Sequence, residues 1–314
     1  MDPLSDLLSL MQARSLLSSR FEGRGRWAMQ FPAYVSQIKF GGVLEGRLWL
    51  STGEHSAWLE RGDFYLLANG HPFVVASDPS LHARDGVRLY RSLRAQGDGV
   101  VRLGHAGELV ALASGHFQFD KEPASTMLLH SLPPLICLRG TKPGASPLVA
   151  LLELLRYETS AEEAETGAAA ARNSLATLIL VQALRVFLGG STKPSGWLSV
   201  LGDRRISRAL TAAHADIARP WVLPELAALA GMSRSAFAQR FRELSGMTPL
   251  DYLQQWRLST AKRALCDSDE SIGRIAHGVG YLSETAFSAA FKRMFGESPG
   301  RFRSASRAAV LSAA

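Results

Sequence analysis

Two short stretches near the C-terminus each place small and polar side chains on one helix face, with basic residues on its flanks. The first stretch offers Arg234, Ser235, Ala238, Gln239, Arg240 and Arg242, and the second offers Glu284, Thr285, Ser288, Ala289, Lys292 and Arg293. A glutamine amide matches the edge of an adenine base, and arginine and lysine neutralise backbone phosphates. These residue types suggest recognition of a DNA duplex. A solvated helix face is an equal alternative for any single arginine.

The two stretches are copies within one repeat. Ser233, Phe237, Phe241, Gly246 and Pro249 recur 50 positions later as Ser283, Phe287, Phe291, Gly296 and Pro299. Ala227 and Gly231 recur 49 positions later as Ala276 and Gly280. The second copy therefore carries one extra residue, Leu282, in its turn. These matches, with a single one-residue shift, indicate a duplicated structural unit.

Each repeated residue type has a mechanical role. The small alanine lets two helices cross closely, and the glycine after it can take the positive φ that a tight reversal needs. The serine is a good N-cap for the next helix, and two phenylalanines four residues apart place both rings on its inner face. Together these residues predict a helix, a tight turn and a second helix that is free to enter the major groove.

The segment between the two copies predicts one continuous helix. Apolar residues recur at helical spacing from Pro249 to Cys266, and proline suits the first turn of a helix. Such a helix would hold the two reading helices at a fixed separation. If both enter one face of the duplex, this separation should be about 34 Å.

Positive charge is concentrated in the same region. Residues 197–314 contain 16 Lys and Arg against 10 Asp and Glu, whereas residues 1–196 contain 19 against 18. The last third therefore holds most of the net charge of +7, as expected of a domain that binds a polyanion. A basic surface without a partner would show the same balance, so charge alone does not decide the function.

The rest of the chain divides into a strand-rich part and a helical part. Up to residue 120, short aromatic and β-branched stretches between turn residues predict a sandwich or barrel. From Pro147 leucines recur at helical spacing, and a small, polar stretch predicts a linker at 189–202. We expect an α+β fold with an N-terminal domain at 1–188, an all-α domain at 203–305 and a tail at 306–314.

The second copy resembles the signature of the AraC/XylS family of bacterial transcription regulators. The resemblance rests on Ser271-Ile272, Ile275-Ala276, Val279-Gly280-Tyr281, Ser283, Phe287, Phe291-Lys292-Arg293, Gly296-Glu297-Ser298-Pro299 and Arg301-Phe302-Arg303. It implies a seven-helix domain that binds double-stranded DNA as two tandem units, usually as an activator, with RNA polymerase as a partner. Ala289 and Ala290 stand where longer polar side chains are common, so we expect the first unit to read more of the sequence.

The N-terminal part resembles the cupin-type sensor domain found on one branch of that family. The matching residues are Trp27, Gly46-Arg47-Leu48-Trp49-Leu50, Gly62-Asp63-Phe64-Tyr65-Leu66-Leu67, Gly70-His71-Pro72-Phe73, Gly115-His116-Phe117-Gln118-Phe119 and Leu132-Pro133-Pro134-Leu135. The resemblance implies a small β-barrel followed by helices that often dimerise. We therefore expect a sequence-specific transcription regulator, most often an activator, whose barrel senses a small effector or mediates dimerisation.

Cupin barrels are often metal enzymes, so a metal-dependent activity fused to the DNA-binding module is the alternative. A mononuclear site would need several histidines and a carboxylate that converge, commonly with an H-x-H step. The N-terminal histidines are His55, His71, His82, His105, His116 and His130, and no two are separated by a single residue. We expect no catalytic residues, no metal and no cofactor.

An effector pocket and a dimer interface can each be assigned residues. Aromatic side chains available to a barrel interior include Tyr34 and Phe40, and the effector-binding set we favour is Trp27, Trp49, Trp58, Phe64 and Phe73. For most of these aromatic residues, packing in the hydrophobic core is the simpler interpretation. The apolar stripe from Leu175 to Leu188 predicts a helix that joins two copies into a homodimer.

The remaining features predict a cytoplasmic, nucleoid-associated bacterial protein without a membrane partner. The start of the chain is acidic and lacks the basic region of a secretory signal. Leu4, Leu7, Leu8 and Met11 predict a short amphipathic helix packed on the body. Cys137 and Cys266 are expected to be buried thiols rather than a redox pair.

Overall fold

The computed structural model describes residues 3–11, 14–68, 70–94, 100–119, 123–160, 166–190 and 196–313 and divides into two compact units. The first, called here the sheet unit, comprises Ala13–Asp120 and Leu129–Pro194. The second, called here the helical unit, comprises Met1–Gln12, Lys121–Leu128 and Ser195–Ala314. The helical unit therefore draws on two stretches that the sequence placed in the N-terminal domain.

The described residues of the sheet unit form two sheets. Its strands are β1 (Arg14–Arg24), β2 (Ala28–Phe31), β3 (Gln37–Glu45), β4 (Arg47–Ser51), β5 (Ser56–Glu60), β6 (Phe64–Leu67), β7 (Phe73–Ala76), β8 (Arg84–Asp85), β9 (Val100–Leu103), β10 (Leu109–Gln118) and β11 (Leu135–Leu138). One sheet has the order β11-β6-β3-β10-β1-β9 and the other β5-β4-β7-β2-β8. Alternate residues of both sheets, such as Met29, Val43 and Val75, share one core. The predicted β-rich N-terminal domain is confirmed, as two sheets rather than a closed barrel.

Among the described residues, three helices lie wholly within the sheet unit: α2 (Gly86–Arg94), α4 (Ser146–Ser160) and α5 (Ala168–Leu188). A fourth, α3 (Pro123–Ser131), belongs partly to each unit. By length and composition alone α5 would suit a membrane span, a test that core helices of soluble proteins also pass. It packs on α4, β1 and β11 and buries residues such as Ile179, Leu184 and Phe187.

The helical unit carries the repeat. Its helices are α1 (Pro3–Met11), α6 (Gly196–Gly202), α7 (Arg204–Ala215), α8 (Leu223–Leu229), α9 (Arg234–Ser245), α10 (Pro249–Asp267), α11 (Ile272–Gly278), α12 (Glu284–Phe295) and α13 (Pro299–Ala313). Helices α7 to α13 are the seven that the family resemblance implied, and α6 and α1 pack against them. The all-α C-terminal part is confirmed.

Two predicted boundaries differ from the structure. Residues 196–202 of the predicted linker form α6, which buries Trp197, Leu198 and Val200 against its neighbours; residues 191–195 lie outside the described part of the chain. A helix of seven residues is too short to show a clear hydrophobic period, which hid this helix in the sequence. The predicted tail at 306–314 continues α13 as far as Ala313.

The predicted N-terminal helix exists as α1, and it packs on α7 and α10. Leu7 is fully buried, and Asp6 Oδ2 lies 3.1 Å from His214 Nδ1. The other ring nitrogen, Nε2, lies 2.8 Å from the Tyr252 hydroxyl, and the ring stacks on Trp256. Burial lowers the pKa of His214, although Asp6 opposes the shift. The N-terminal helix is thus an integral part of the helical unit.

The cysteine prediction is wrong in part. Cys137 is only half-buried, and burial raises the pKa of its thiol. Cys266 is exposed, with its Sγ 3.3 Å from the Ser306 hydroxyl. Both thiols are free. Cys266 follows the buried Leu265 on α10 and so points away from the core of that helix, which residue type alone did not indicate.

Candidate nucleic-acid interface

The two repeat copies fold into the same helix-turn-helix frame. Ser233 Oγ accepts a hydrogen bond from the Ala236 amide at 3.3 Å, and Ser283 Oγ accepts one from the Ala286 amide at 3.2 Å. The four repeated phenylalanines are fully buried: Phe237, Phe241, Phe287 and Phe291. Helices α9 and α12 each contain 12 residues and end at a glycine with positive φ. The roles assigned to the repeated residues are confirmed.

Helix α10 joins the two frames as predicted. It begins at Pro249, where Thr248 Oγ1 accepts a hydrogen bond from the Asp251 amide at 3.2 Å, and it runs unbroken to Asp267. It packs against α9 on one side of the repeat and against α11, α12 and α13 on the other. A continuous helix without an internal hinge fixes one reading helix with respect to the other.

Two arginine side chains connect loops to the helices of this frame through hydrogen bonds to backbone carbonyls. Arg205 Nε donates to the Ala230 carbonyl at 3.0 Å, and its Nη2 donates to the Gly231 carbonyl in the first turn. Arg257 on α10 likewise donates to the Ile217 carbonyl at 3.0 Å. Sequence reasoning missed these roles, because a guanidinium that satisfies carbonyls and one that binds phosphate have the same residue type.

The two turns differ in how closely they are packed. Gly231 has a φ of +62°, and a Cβ there would meet only the end of the Arg205 side chain, 3.9 Å away. Gly280 has a φ of +84°, and a Cβ there would lie 2.6 Å from the Ala218 carbonyl oxygen. Only glycine therefore fits the second turn, for reasons of both conformation and space.

The outward face of α9 is polar and basic. Gln239 Nε2 donates to Glu243 Oε1 at 2.9 Å, one helical turn along. Arg234 and Arg242 are exposed, and neither guanidinium has an ion pair or hydrogen bond within the described residues. Arg240 has a partner within the protein, because its Nε lies 3.1 Å from Asp203 Oδ2, the carboxylate that caps α7.

Small residues occupy much of the outward face of α12. Thr285, Ser288 and Ala289 are at the positions that correspond to Ser235, Ala238 and Gln239. Ser288 is partly buried, whereas Thr285 and Ala289 are exposed. Ala290, which we had counted with Ala289 as a short residue on the reading face, is buried and belongs to the core.

The charges at the two ends of α12 have opposite signs. Glu284, at its first position, folds back so that its carboxylate lies over Gly273 on α11. Lys292 is exposed and has no ion pair within the described residues, and Arg293 is exposed beside it. Glu284 corresponds to Arg234 in the first copy, and Arg293 corresponds to Glu243. The positive charge of α12 therefore lies at its C-terminal end.

Comparison with known proteins agrees with this architecture. A cupin family model matches residues 2–189, and a helix-turn-helix domain model matches residues 226–305. A putative AraC-like transcription regulator of Streptomyces lividans is 38% identical over 306 residues, which cover 96% of this chain and 98% of that protein. The regulator AlkR of Acinetobacter baylyi is 31% identical over 245 residues, or 77% of this chain and 79% of AlkR.

Among solved structures, the DNA-binding domain of AdpA in complex with a target DNA is 37% identical, covers 32% of this chain and 90% of that domain, and has a TM-score of 0.31. The near full-length likeness to the Streptomyces protein decides the assignment. The chain belongs to the AraC-like family of transcription regulators. It is a DNA-binding transcription regulator with an N-terminal cupin domain.

The cupin domain of this AraC-like regulator contains a cavity of about 180 Å³. Its lining residues are Phe31, Tyr34, Lys39, Phe40, Tyr65, Phe73, Val75, Val87, Tyr90, Leu112, Ser114 and Gly115. Of the five aromatic residues in our effector-binding set, only Phe73 lines it. The prediction used residue type, which does not say to which side of a strand a ring points.

The other four aromatic residues lie elsewhere. Trp27 is buried in the core against Phe21, with the ring centroids 4.8 Å apart. Trp49 and Trp58 pair across β4 and β5 on the face away from that core, and Trp58 is 37% exposed. Phe64 packs beside Gly42 and Leu152, on the side of β6 that faces α4.

The histidines of the cupin domain do not converge. Within the described residues, no group of three or more His, Cys, Asp or Glu is arranged to hold a metal ion. His116 is half-buried, and burial, with a further contribution from Lys39, lowers its pKa. The relatives of this AraC-like protein are transcription regulators.

Proposed function

We propose that the protein reads a bipartite DNA site, with α9 supplying most base recognition and α12 most phosphate positioning. The observation that carries the proposal is the pair Gln239 and Ala289, which occupy the same position in two equivalent helices. A glutamine amide can make two hydrogen bonds to adenine, whereas an alanine methyl group can contact only the methyl group of thymine. The two helices therefore have the same structural frame but differ in the number of hydrogen bonds they can offer to bases.

Glu243 supports base recognition by α9 because it holds the side-chain amide of Gln239. The bond from Gln239 Nε2 to Glu243 occupies one of two amide hydrogens, which leaves the second hydrogen and the carbonyl oxygen for adenine N7 and N6. Glu243 would therefore act as a positioning residue that holds the amide in one rotamer. Arg234, Arg242, Lys292 and Arg293 are the phosphate contacts in this proposal, and Arg240 is excluded because Asp203 engages it.

Selection of bound duplexes from a random pool by the full-length protein tests this proposal. We expect two half-sites about one helical turn, 10–10.5 base pairs, apart, with the stronger base preference in one half. Genomic footprinting would then locate the regulated promoters. Uniform weak binding to all sequences, or a single half-site, would contradict a two-helix reader.

The sensor part of the proposal concerns the domain up to about residue 188. We propose that its cavity holds a small effector and that the protein, cytoplasmic and bound to the nucleoid, acts as an activator through RNA polymerase. The cavity and the attachment of this domain to a DNA reader support the proposal. We propose no enzymatic activity for it.

Dimerisation through α5 is the second element of the sensor proposal. Leu178 is 44% exposed on that helix, and Leu175, Gln182 and Val186 on the same side are only partly buried. An apolar side that the unit leaves uncovered suits a twin copy. Analytical ultracentrifugation should show a dimer at micromolar concentration, and Leu178→Asp should shift it to monomer. A monomeric wild-type protein would contradict this element.

A further inference from the structure

Lys39 is the unusual group inside the cupin domain. It lies on β3, directly opposite Leu67 on β6 and His116 on β10. Side chains alternate along a strand, so Lys39 points to the same side as Val43, a member of the core. A lysine on the interior side of a central strand is costly unless its charge finds a partner.

The Lys39 ammonium has an aromatic neighbour but no carboxylate. Its Nζ lies 3.7 Å from the centre of the Tyr34 ring. Within the described residues, no Asp or Glu forms a salt bridge with it, and burial lowers its pKa to about 8. At neutral pH the amine is still mostly charged, so the cavity holds a positive charge without a counter-ion.

The remaining lining is apolar with a few hydroxyl groups. Phe31 and Phe73 stack with their ring centroids 4.9 Å apart, and Tyr90 meets Phe31 edge-on at 5.7 Å. Tyr65 and Ser114 add hydroxyl groups to the lining. A cavity of about 150 Å³ is known to hold benzene, so the 180 Å³ space here suits one ring, or a short chain, with a carboxylate.

We propose that this cavity binds a small organic monocarboxylate, whose carboxylate pairs with Lys39 and whose apolar body packs against Phe31, Phe73 and Tyr90. A neutral ligand would displace water and leave the ammonium with less solvation and no counter-ion. A cationic ligand would meet the ammonium without a carboxylate in the lining. The inference rests on the proposed sensor function, to which it adds the chemical class of the effector.

Binding of such an acid should depend on pH. The titratable and charged groups around Lys39 are Tyr34, Tyr65, Tyr90, Asp85 near Tyr34, and His116, whose pKa is lowered. Burial raises the pKa of Tyr34, and that of Tyr65 more strongly, so both stay neutral. The bound carboxylate stabilises protonated Lys39. Affinity should therefore be steady from neutral pH to about 8 and fall above that value.

Calorimetric titration of the full-length protein with benzoate and hexanoate, and with the neutral amides of both acids, tests the proposal. We expect one acid or both to bind, each amide to bind at least tenfold more weakly, and Lys39→Met to reduce acid binding by a similar factor. The matched control is Lys142→Met, an exposed lysine in the same unit, which should leave affinity unchanged. Failure of both acids to bind at about 10 mM, or undiminished binding to Lys39→Met, would overturn it.

A second measurement does not depend on the folding of a variant. An amine-modifying reagent followed by mass spectrometry should show that the acid protects Lys39 and not Lys142 in the wild-type protein. Equal modification with and without a bound acid would contradict the placement of the carboxylate. The affinity for selected DNA, measured with and without the acid, distinguishes the binding site from the sensor function. If the acid binds through Lys39 but leaves DNA affinity and transcription unchanged, the site is supported and the sensor function is contradicted.

Discussion

Helices α9 and α12 have the same length, the same type of N-cap and the same buried rings, yet their outward faces differ at almost every position. The first offers an arginine at its start and a glutamine in its middle. The second offers a glutamate and an alanine at the corresponding places. The residues that build the frame are constrained by packing, capping and backbone conformation, whereas those on the outward face are constrained only by what they bind. The two copies of a duplicated unit can therefore keep the same fold while one recognises bases and the other contacts phosphates.

The comparison extends to the turns, where the largest effect is expected. Gly280→Ala should destabilise the helical unit by about 3 kcal/mol, because left-handed φ is unfavourable for alanine and the new methyl group would overlap the Ala218 carbonyl. Gly231→Ala has only the conformational cost, about 1 kcal/mol. Urea denaturation of both full-length variants measures the difference. Equal losses would show that the two turns are packed alike.

Removal of a single charge from either outward face should have a smaller effect, on the free energy of DNA binding, than Gly280→Ala has on stability. Arg242→Ala and Lys292→Ala occupy equivalent positions, and each should weaken binding to all sequences and lower the salt dependence by about one unit of slope. Arg240→Ala is the matched control, since Asp203 already engages that guanidinium. Fluorescence anisotropy at several salt concentrations gives the slopes. If Arg240→Ala lowered the salt slope as much as Arg242→Ala does, Arg240 would also contact phosphate.

The N-caps should show no difference between the copies, which makes them a control on the frame. Ser233→Ala and Ser283→Ala each remove the hydrogen bond that the serine hydroxyl accepts from an amide of the following helix, at 3.3 and 3.2 Å. Ser233→Ala also removes an exposed 3.3 Å contact with the Ser235 hydroxyl. Each should cost about 1 kcal/mol of stability in thermal or urea unfolding. A loss confined to one of the two variants would mean that the frames are not equivalent.

The frame was predictable because its residues act locally. Ser233 caps the helix it precedes, and Gly246 ends the one it follows, so spacing along the chain identifies both. The contacts of Arg205 with the first turn and of Asp203 with Arg240 join segments 25 or more residues apart, and no local period records them. The helical unit also takes α1 from the far end of the chain.

The lining of the cavity could not be predicted from the sequence for a similar reason. Alternation along β3 places Lys39 on the interior side with Val43, but hydropathy assigns a lysine to solvent. The aromatic set we favoured failed for the converse reason, since rings such as Trp49 and Trp58 lie on the outer side of their sheet. Residue type suggested a pocket, and only the paired register of the strands shows which side chains form it.

The division of tasks between α9 and α12 is tested most directly by repeating the duplex selection with Gln239→Ala and, as its counterpart, Ala289→Gln. Gln239→Ala should remove the preference at one or two base pairs of the stronger half-site, worth about 1–3 kcal/mol, and leave the other half unchanged. Ala289→Gln should leave the stronger half-site unchanged and add a base preference to the weaker one. An unaltered selected sequence with Gln239→Ala, or a loss in both halves, would contradict the account.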